Sequence, residues 1–338
     1  MIIPLDERWE QFLNSTNNKN IFHHPNWINN LAKCYNYQPY ILCVSDKDGK
    51  LTAGLPIIKI KSALTGKRWI SLPFSDYCQP LYETEKALEQ LKIELVKSLQ
   101  EDQISNIELR WVYPNISLLQ EISDNILHTI KLNENSEFVL DSIQKRVQQY
   151  IRSTKKKGVI IERGTTQEQL KQFFQFHLQT RQRHGLPTQP WKFFAGLKEN
   201  VLDKKLGFIS LAKKDNHYLA AMLFLHFGNT LTYKYGASDR RFQNLRPNHL
   251  LLWDAIKWGC ENGYEIFDLG KSAKSNTGLR RFKSKFGAEE KELIYTTSFG
   301  TSSRPKSGRL MNLMGSIIRN FPLFVTKITG KLFYRHLA

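Results

Sequence analysis

Two stretches of the chain carry one hydrophobic pattern. In the first, "PYILCVSDKDGKLTAGLPIIKI" alternates apolar and polar residues, breaks at a turn at Asp46–Gly49, and alternates again. "RWISLPF" adds a third strand, Glu85 to Leu99 takes the helical period, and "NIELRW" returns to a strand. In the second, "LGFISLAKKDNHYLAAMLFLHFG" turns at Asp215–Asn216, then "TLTYKYGAS", the helix "HLLLWDAIKWGCENG" and the strand "YEIFDLG" follow. Helical segments, Trp27 to Cys34 and Gln167 to His184, open the two halves. The order strand, hairpin, strand, strand, helix, strand therefore occurs twice. It predicts an α/β protein of two tandem domains with mixed sheets.

A polar stretch at Glu134–Ser136 sets the boundary between residues 1–135 and 136–303. After it, "SIQKRVQQYIRSTKKKGVIIERG" reads as a basic helix ended by Gly158. Residues 304–338 form a tail with apolar stripes at Leu310, Leu313, Met314, Ile317, Ile318 and Phe321, then Phe324, Val325, Ile328 and Leu332 beyond Pro322. Arg319, Lys327, Lys331 and Arg335 are interleaved, and no acid follows Glu292. This suits a basic amphipathic helix lying on an anionic membrane through residues 309–336, or one docked on its own domain.

The formal charge of +18 over 338 residues points to polyanionic partners: nucleic acid, anionic lipid or phosphate-bearing substrates. Cys34, Cys43, Cys78 and Cys260 form no CxxC pair and suit reduced thiols. "MIIPLDERWEQ" lacks the pattern of an export signal, and "LAAMLFLHF" is too short to span a bilayer. The expectation is a cytoplasmic protein, peripheral on the inner face of the plasma membrane if the tail binds lipid. His23 and His24 are adjacent and cannot converge on a metal as an i, i+4 pair would.

The densest chemistry lies in "FDLGKSAKSNTGLRRFKSKFG", Phe267 to Gly287. A strand delivers Asp268 to its end, and a loop and helix rich in Lys and Arg follow. Asp268 is a candidate general base, or an anchor that accepts N–H groups of the next loop. Lys271 is a candidate for binding phosphate or stabilising an oxyanion, with Ser272, Arg281 and Lys283 as acceptor-binding groups. Arg181, Arg183 and His184 end a helix, where cations are favoured electrostatically and where they could also hold an acceptor. Asp76 and Tyr77 lie on a proline-bounded loop and are placed toward the acceptor at the domain interface. No Ser-His-Asp or Cys-His set suggests a protein nucleophile.

"FHHPNWINNL", "GLPIIKI", "SLPFSDYCQPLY", "LRPNHLLLWDAIKWGCENGYEIFDLGKS" and "GLRRFKSKFGAEE" together resemble the FemA/FemB-like branch of the GNAT acyltransferase superfamily. The resemblance covers roughly residues 20–300 and is most specific from Arg246 to Gly287. It implies two tandem GNAT-like domains with the active site in the second. It also implies transfer of an acyl or aminoacyl group to an amine of a cell-envelope or polysaccharide precursor, phosphate-bearing or lipid-linked. No tightly bound cofactor is implied; the donor would be acyl-CoA, an acyl carrier protein or aminoacyl-tRNA. In GNAT folds the strand "TYKYGAS" parts from its neighbour to admit the donor, which gives Tyr235, Gly236 and Ser238 donor-binding roles; Tyr233 and Tyr235 are placed on one face. Arg246 and Asn248 fall where CoA-binding members have a glycine-rich loop before a helix. Both glycines are missing here, and Pro247 removes an N–H donor. Phe282 stands where many GNATs have a tyrosine. The long helical arm of tRNA-using members is absent from the heptad pattern, although the charge suits tRNA. The rival class is a non-catalytic RNA- or tRNA-binding protein, or a membrane-bound scaffold, on a GNAT-like fold.

Overall fold

The computed structural model describes residues 1–62, 66–104, 106–113, 116, 119–298, 315–316, 318–320 and 322–334. They fall into two units. Unit 1 holds Met1–Asp124 and takes back the chain from Glu292; unit 2 holds Asn125–Lys291 and the C-terminal helix. The division thus comes at 124/125, not 135/136, and the final strand of the second half returns to unit 1.

In unit 1, β1 (Ile2–Pro4), α1 (Glu7–Ser15) and α2 (Pro25–Tyr35) precede β2 (Gln38–Ser45), β3 (Leu51–Ser62) and β4 (Gly66–Ile70). The short β5 (Leu81–Tyr82) then leads to α3 (Glu85–Glu101) and β6 (Ile107–Leu109). β2, β3 and β4 pair antiparallel in sequence, and β6 returns parallel to β4 through Trp69↔Ile107 and Ile70↔Glu108. Thr84 caps α3 by accepting the Ala87 N–H. Ala87, Leu91, Leu95 and Ser98 form its buried stripe, the spacing that brings a helix face onto a sheet.

In unit 2, β7 (Gln120–Lys131), α4 (Ser136–Ser142), α5 (Lys145–Lys156), β8 (Ile160–Gly164), α6 (Gln167–Arg183) and α7 (Trp191–Leu197) come first. β9 (Gly207–Lys214), β10 (His217–Phe227), β11 (Thr230–Ser238), α8 (Pro247–Glu261), β12 (Ile266–Ala273) and α9 (Thr277–Ser284) follow, and β13 (Glu289–Thr297) carries the chain from unit 2 back into unit 1. β9, β10 and β11 pair antiparallel, and β12 returns parallel to β11. This is the topology of β2, β3, β4 and β6, so the duplication read from the sequence is present as a repeated connection.

One face of the unit 2 sheet packs Phe208, Ala212, Ala220, Met222 and Phe224 with Leu250, Leu251, Ile256 and Phe286. The alternate residues Ile209, Leu211, Ala221 and Leu223 are equally buried on the other face, where α6 lies against β9, β10 and β11. Burial on both faces explains the near-continuous apolar run "LAAMLFL".

The C-terminal helix, α10 (Leu323–Phe333), packs on α6. A Cβ on Gly330 would lie 2.0 Å from the Thr188 carbonyl oxygen. Only glycine allows this approach. Ile318 and Thr326 have no exposed surface, while Leu323 and Ile328 remain 36% and 50% exposed. The described part of the tail is therefore a docked helix, the second of the two readings of the tail. Leu310, Leu313, Met314, Ile317, Phe321 and Arg335 lie outside the described residues, as do the side chains of Phe324, Lys331 and Leu332. Among the described residues no helix is long and apolar enough to cross a membrane.

Candidate active site

β11 and β12 are paired only through Thr230↔Ile266, Leu231↔Phe267 and Thr232↔Asp268. Beyond that point β11 stays with β10, through Leu223↔Tyr235 to Ala220↔Ser238. β12 stays with β7, through Lys271↔Leu127 to Ala273↔Asn125. Two parallel neighbours thus part in mid-sheet. Each carries a bulge at the parting: Lys234 is skipped in the β10–β11 register, and Leu269–Gly270 in the β12–β7 register. Gly270 has φ +70°, the left-handed region that glycine enters without strain.

The β12 bulge is held from two sides. Asp268, with no exposed surface, accepts the Gly270 N–H at 2.7 Å. Lys283 of α9, 3% exposed, donates from Nζ to the Gly270 carbonyl at 2.7 Å and the Lys271 carbonyl at 3.1 Å. Through this bond Asp268 anchors the bulge, the second of the two roles read from the sequence. Lys271 is half-buried and enters this network through its carbonyl; Ser272 beside it is buried. Arg281 is exposed on α9.

His128 of β7 was missed by sequence reading. It has no exposed surface, and its Nδ1 lies 3.8 Å from Glu290 Oε1. Burial, and then the Lys283 charge, push it down to about 4, so the ring is neutral. Arg280 holds Glu290 through bonds of 2.6 and 3.1 Å and keeps that carboxyl below its usual range. A histidine inside "NILHTIK" was the available signal.

Residues 142–284 match the acetyltransferase (GNAT) domain family. A UDP-N-acetylmuramoylpentapeptide-lysine N(6)-alanyltransferase of Weissella viridescens is 22% identical over 154 residues, 45% of each chain. A lipid II:glycine glycyltransferase of Staphylococcus epidermidis is 28% identical over 103 residues, 29% of this chain and 25% of that one. The matches thus span less than half the length of these relatives. The crystal structure of FemX superposes with a TM-score of 0.71 at 16% identity, covering 93% of this chain and 100% of that one. Residues 142–284 thus match a GNAT domain, and the fold is like that of FemX.

In that GNAT domain the expected donor residues are only partly together. The Lys234 bulge turns Tyr233 and Tyr235 to opposite faces, which corrects their placement on one face. Tyr233 joins the α8-side core, where burial pushes its phenol up to about 12. Its hydroxyl lies 1.8 Å from where a Cβ on Gly236 would stand. Tyr233 thus fills the space a side chain at 236 would need. Tyr235 packs among His177, Phe193 and Phe194 of α6 and α7. Ser238 is buried at the strand end. Arg246 precedes α8 with φ +57°, the conformation a glycine would supply there, and its guanidinium lies 4.9 Å from the centre of the Tyr150 ring. Asn248 is half-buried in the first turn of α8.

Among the acceptor candidates, Arg181 donates to the Pro187 carbonyl at 2.9 Å and braces the turn after α6. Arg183 is shifted down by burial and by Arg240, and His184 by burial and by Arg183 and Arg181. Asp76 and Tyr77 belong to unit 1. The Asp76 carbonyl accepts the Tyr295 hydroxyl, and Tyr77 is a core aromatic against Phe22 and Trp111. His23 closes a capping box with Asn20, and His24 caps α2. Among the described residues no cluster of His, Cys, Asp and Glu is suited to a metal.

Proposed function

We propose that this protein transfers an aminoacyl or acyl group to an amine of a cell-envelope precursor, lipid-linked or nucleotide-linked, on the cytoplasmic side of the membrane. The observation that carries this is the parting of β11 from β12 after Thr232↔Asp268. It frees backbone groups of two parallel strands at one place, and a donor's extended chain can pair with them. The relatives named as alanyl- and glycyltransferases support an aminoacyl donor and an amine acceptor.

The reaction needs no protein nucleophile. The acceptor amine attacks the donor carbonyl carbon, a C–N bond forms, and negative charge develops on the carbonyl oxygen. The ammonium of Lys283, bound to β12 just past the parting, supplies a positive charge in a water-poor setting, where it acts strongly. The bond to the carrier then breaks, the leaving group takes a proton, and the amine nitrogen gives one up. Asp268 serves this by fixing the bulge that carries the two carbonyls.

The donor side is testable by calorimetry. With Arg246 and Pro247 in place of a glycine-rich loop, acetyl-CoA is expected to bind weakly, and a non-hydrolysable aminoacyl-adenosine more tightly. Tight acetyl-CoA binding that is lost on removal of the 3′-phosphate would overturn the aminoacyl reading.

A further inference from the structure

Behind Tyr235 lies a buried polar relay. His177 Nε2 and Gln189 Oε1 are 3.1 Å apart, and Gln189 Nε2 donates to the Tyr235 hydroxyl at 2.9 Å. Both His177 and Gln189 are 4% exposed. Because the amide nitrogen serves Tyr235, the amide oxygen faces His177, and the imidazole must carry its proton on Nε2. Phe173 stacks on the His177 ring at 5.6 Å, and Phe194 meets it edge-on at 5.2 Å. Gln189 itself is poorly free to move. It sits in "PTQP", where Pro187 and Pro190 restrict the backbone on either side. Its neighbour Thr188 is pressed by Gly330 of α10.

We propose that Gln189, set by His177, is a positioning residue that holds the Tyr235 hydroxyl as an acceptor and so directs the phenol proton away from α6 and α7. Tyr235 stands on β11 just past the parting, so the relay fixes the polarity of a hydroxyl at the proposed donor site. This purpose rests on the function proposed above. Burial, with Arg181 nearby, pushes His177 down to about 3, so the ring remains a neutral donor throughout the working pH range. The relay is then a fixed orienting device and does not shuttle protons. The sequence signal was the Thr188-Gln189 pair between two prolines, which loop reading passed over.

The test uses the full chain with ¹³C-ring tyrosine and ¹⁵N-histidine, in wild type, Gln189→Glu, Gln189→Leu and Tyr235→Phe. A carboxylate at 189 still accepts from His177 but can only accept from Tyr235, so the phenol must turn and donate. The expected result is a raised Tyr235 titration midpoint in both variants, since each removes the N–H that favours the phenolate, with the rise larger by about one unit or more in Gln189→Glu, where a carboxylate also opposes that charge. Transfer should fall about tenfold or more in Gln189→Glu, with a smaller loss in Gln189→Leu, each measured well below the lowered unfolding temperature that a buried carboxylate or a lost buried hydrogen bond brings. In a Tyr235→Phe background, Gln189→Glu should cost nothing further. An unmoved Tyr235 titration, or the same shift in both variants, would overturn the relay. A shifted titration with undiminished transfer would reduce Gln189 to a packing residue and overturn the proposal. The titration reads the hydrogen bond whether or not transfer is detected, so a wild type with the relay intact and no transfer would defeat the proposed function alone.

Discussion

Lys283→Met is expected to keep the fold and lower transfer by about 10²–10³-fold, the scale of losing a fixed electrostatic partner of a developing oxyanion. Methionine nearly matches the length of the lysine stem, so the contacts beneath α9 are conserved. The loss is confined to the ammonium that binds the Gly270 and Lys271 carbonyls. Leaving two partly buried carbonyls without this donor costs about 1–3 kcal/mol. Removing a buried charge offsets part of that cost. Thermal unfolding should therefore move little while single-turnover transfer collapses. Comparable losses of stability and activity would make Lys283 a structural tie. Lys283→Arg should not rescue, because a planar fork does not fit between two adjacent strand carbonyls.

Gly330→Val is expected to release α10 from α6. The added Cβ meets a backbone oxygen, which cannot turn aside as a side-chain tip could. Either α10 or the Thr188 turn must move, at a cost of about 2 kcal/mol or more. Amide exchange should then rise in α10 and across Leu186–Gln189, and remain unchanged in α3 of unit 1. Because Gln189 follows Thr188, transfer should also fall. Protection left as in wild type would show that the contact is easily relaxed. Removing the tail should act in the same direction, since it uncovers α6 and does not simply trim a free segment.

The repeated connection was legible because strand periodicity, turn residues and caps agree. Asp46 takes the N–H groups of Asp48 and Lys50 at the first hairpin, and Asp215 and Asn216 adopt φ of +46° and +61° at the second. Bulges leave no such mark. A skipped residue looks like an ordinary member of an alternating run, so Lys234 reversed the face of Tyr235 unseen. The burial of Asp268 was readable from its apolar neighbours, but its choice of the Gly270 N–H depends on the bulge. Lys283 carried a missed signal: it shares a helical face with Leu279 and Phe286, three or four residues away. A lysine in an apolar stripe is either solvated at its tip or held by partners, and only the fold shows which. Of the tail's stripe, Ile318 is buried and Ile328 is half exposed; periodicity does not say whether lipid or α6 covers such a face.

Direct transfer to an amine at the parting of β11 and β12 leaves a covalent product. Its most direct measurement is mass spectrometry of an amine-bearing envelope precursor incubated with purified protein and a panel of aminoacyl-tRNAs and acyl-CoAs. A gain of one aminoacyl or acyl mass on the amine nitrogen is expected with wild type and almost none with Lys283→Met. Mass gain of equal size with both proteins, or no gain from any donor with a folded wild type, would contradict direct transfer there.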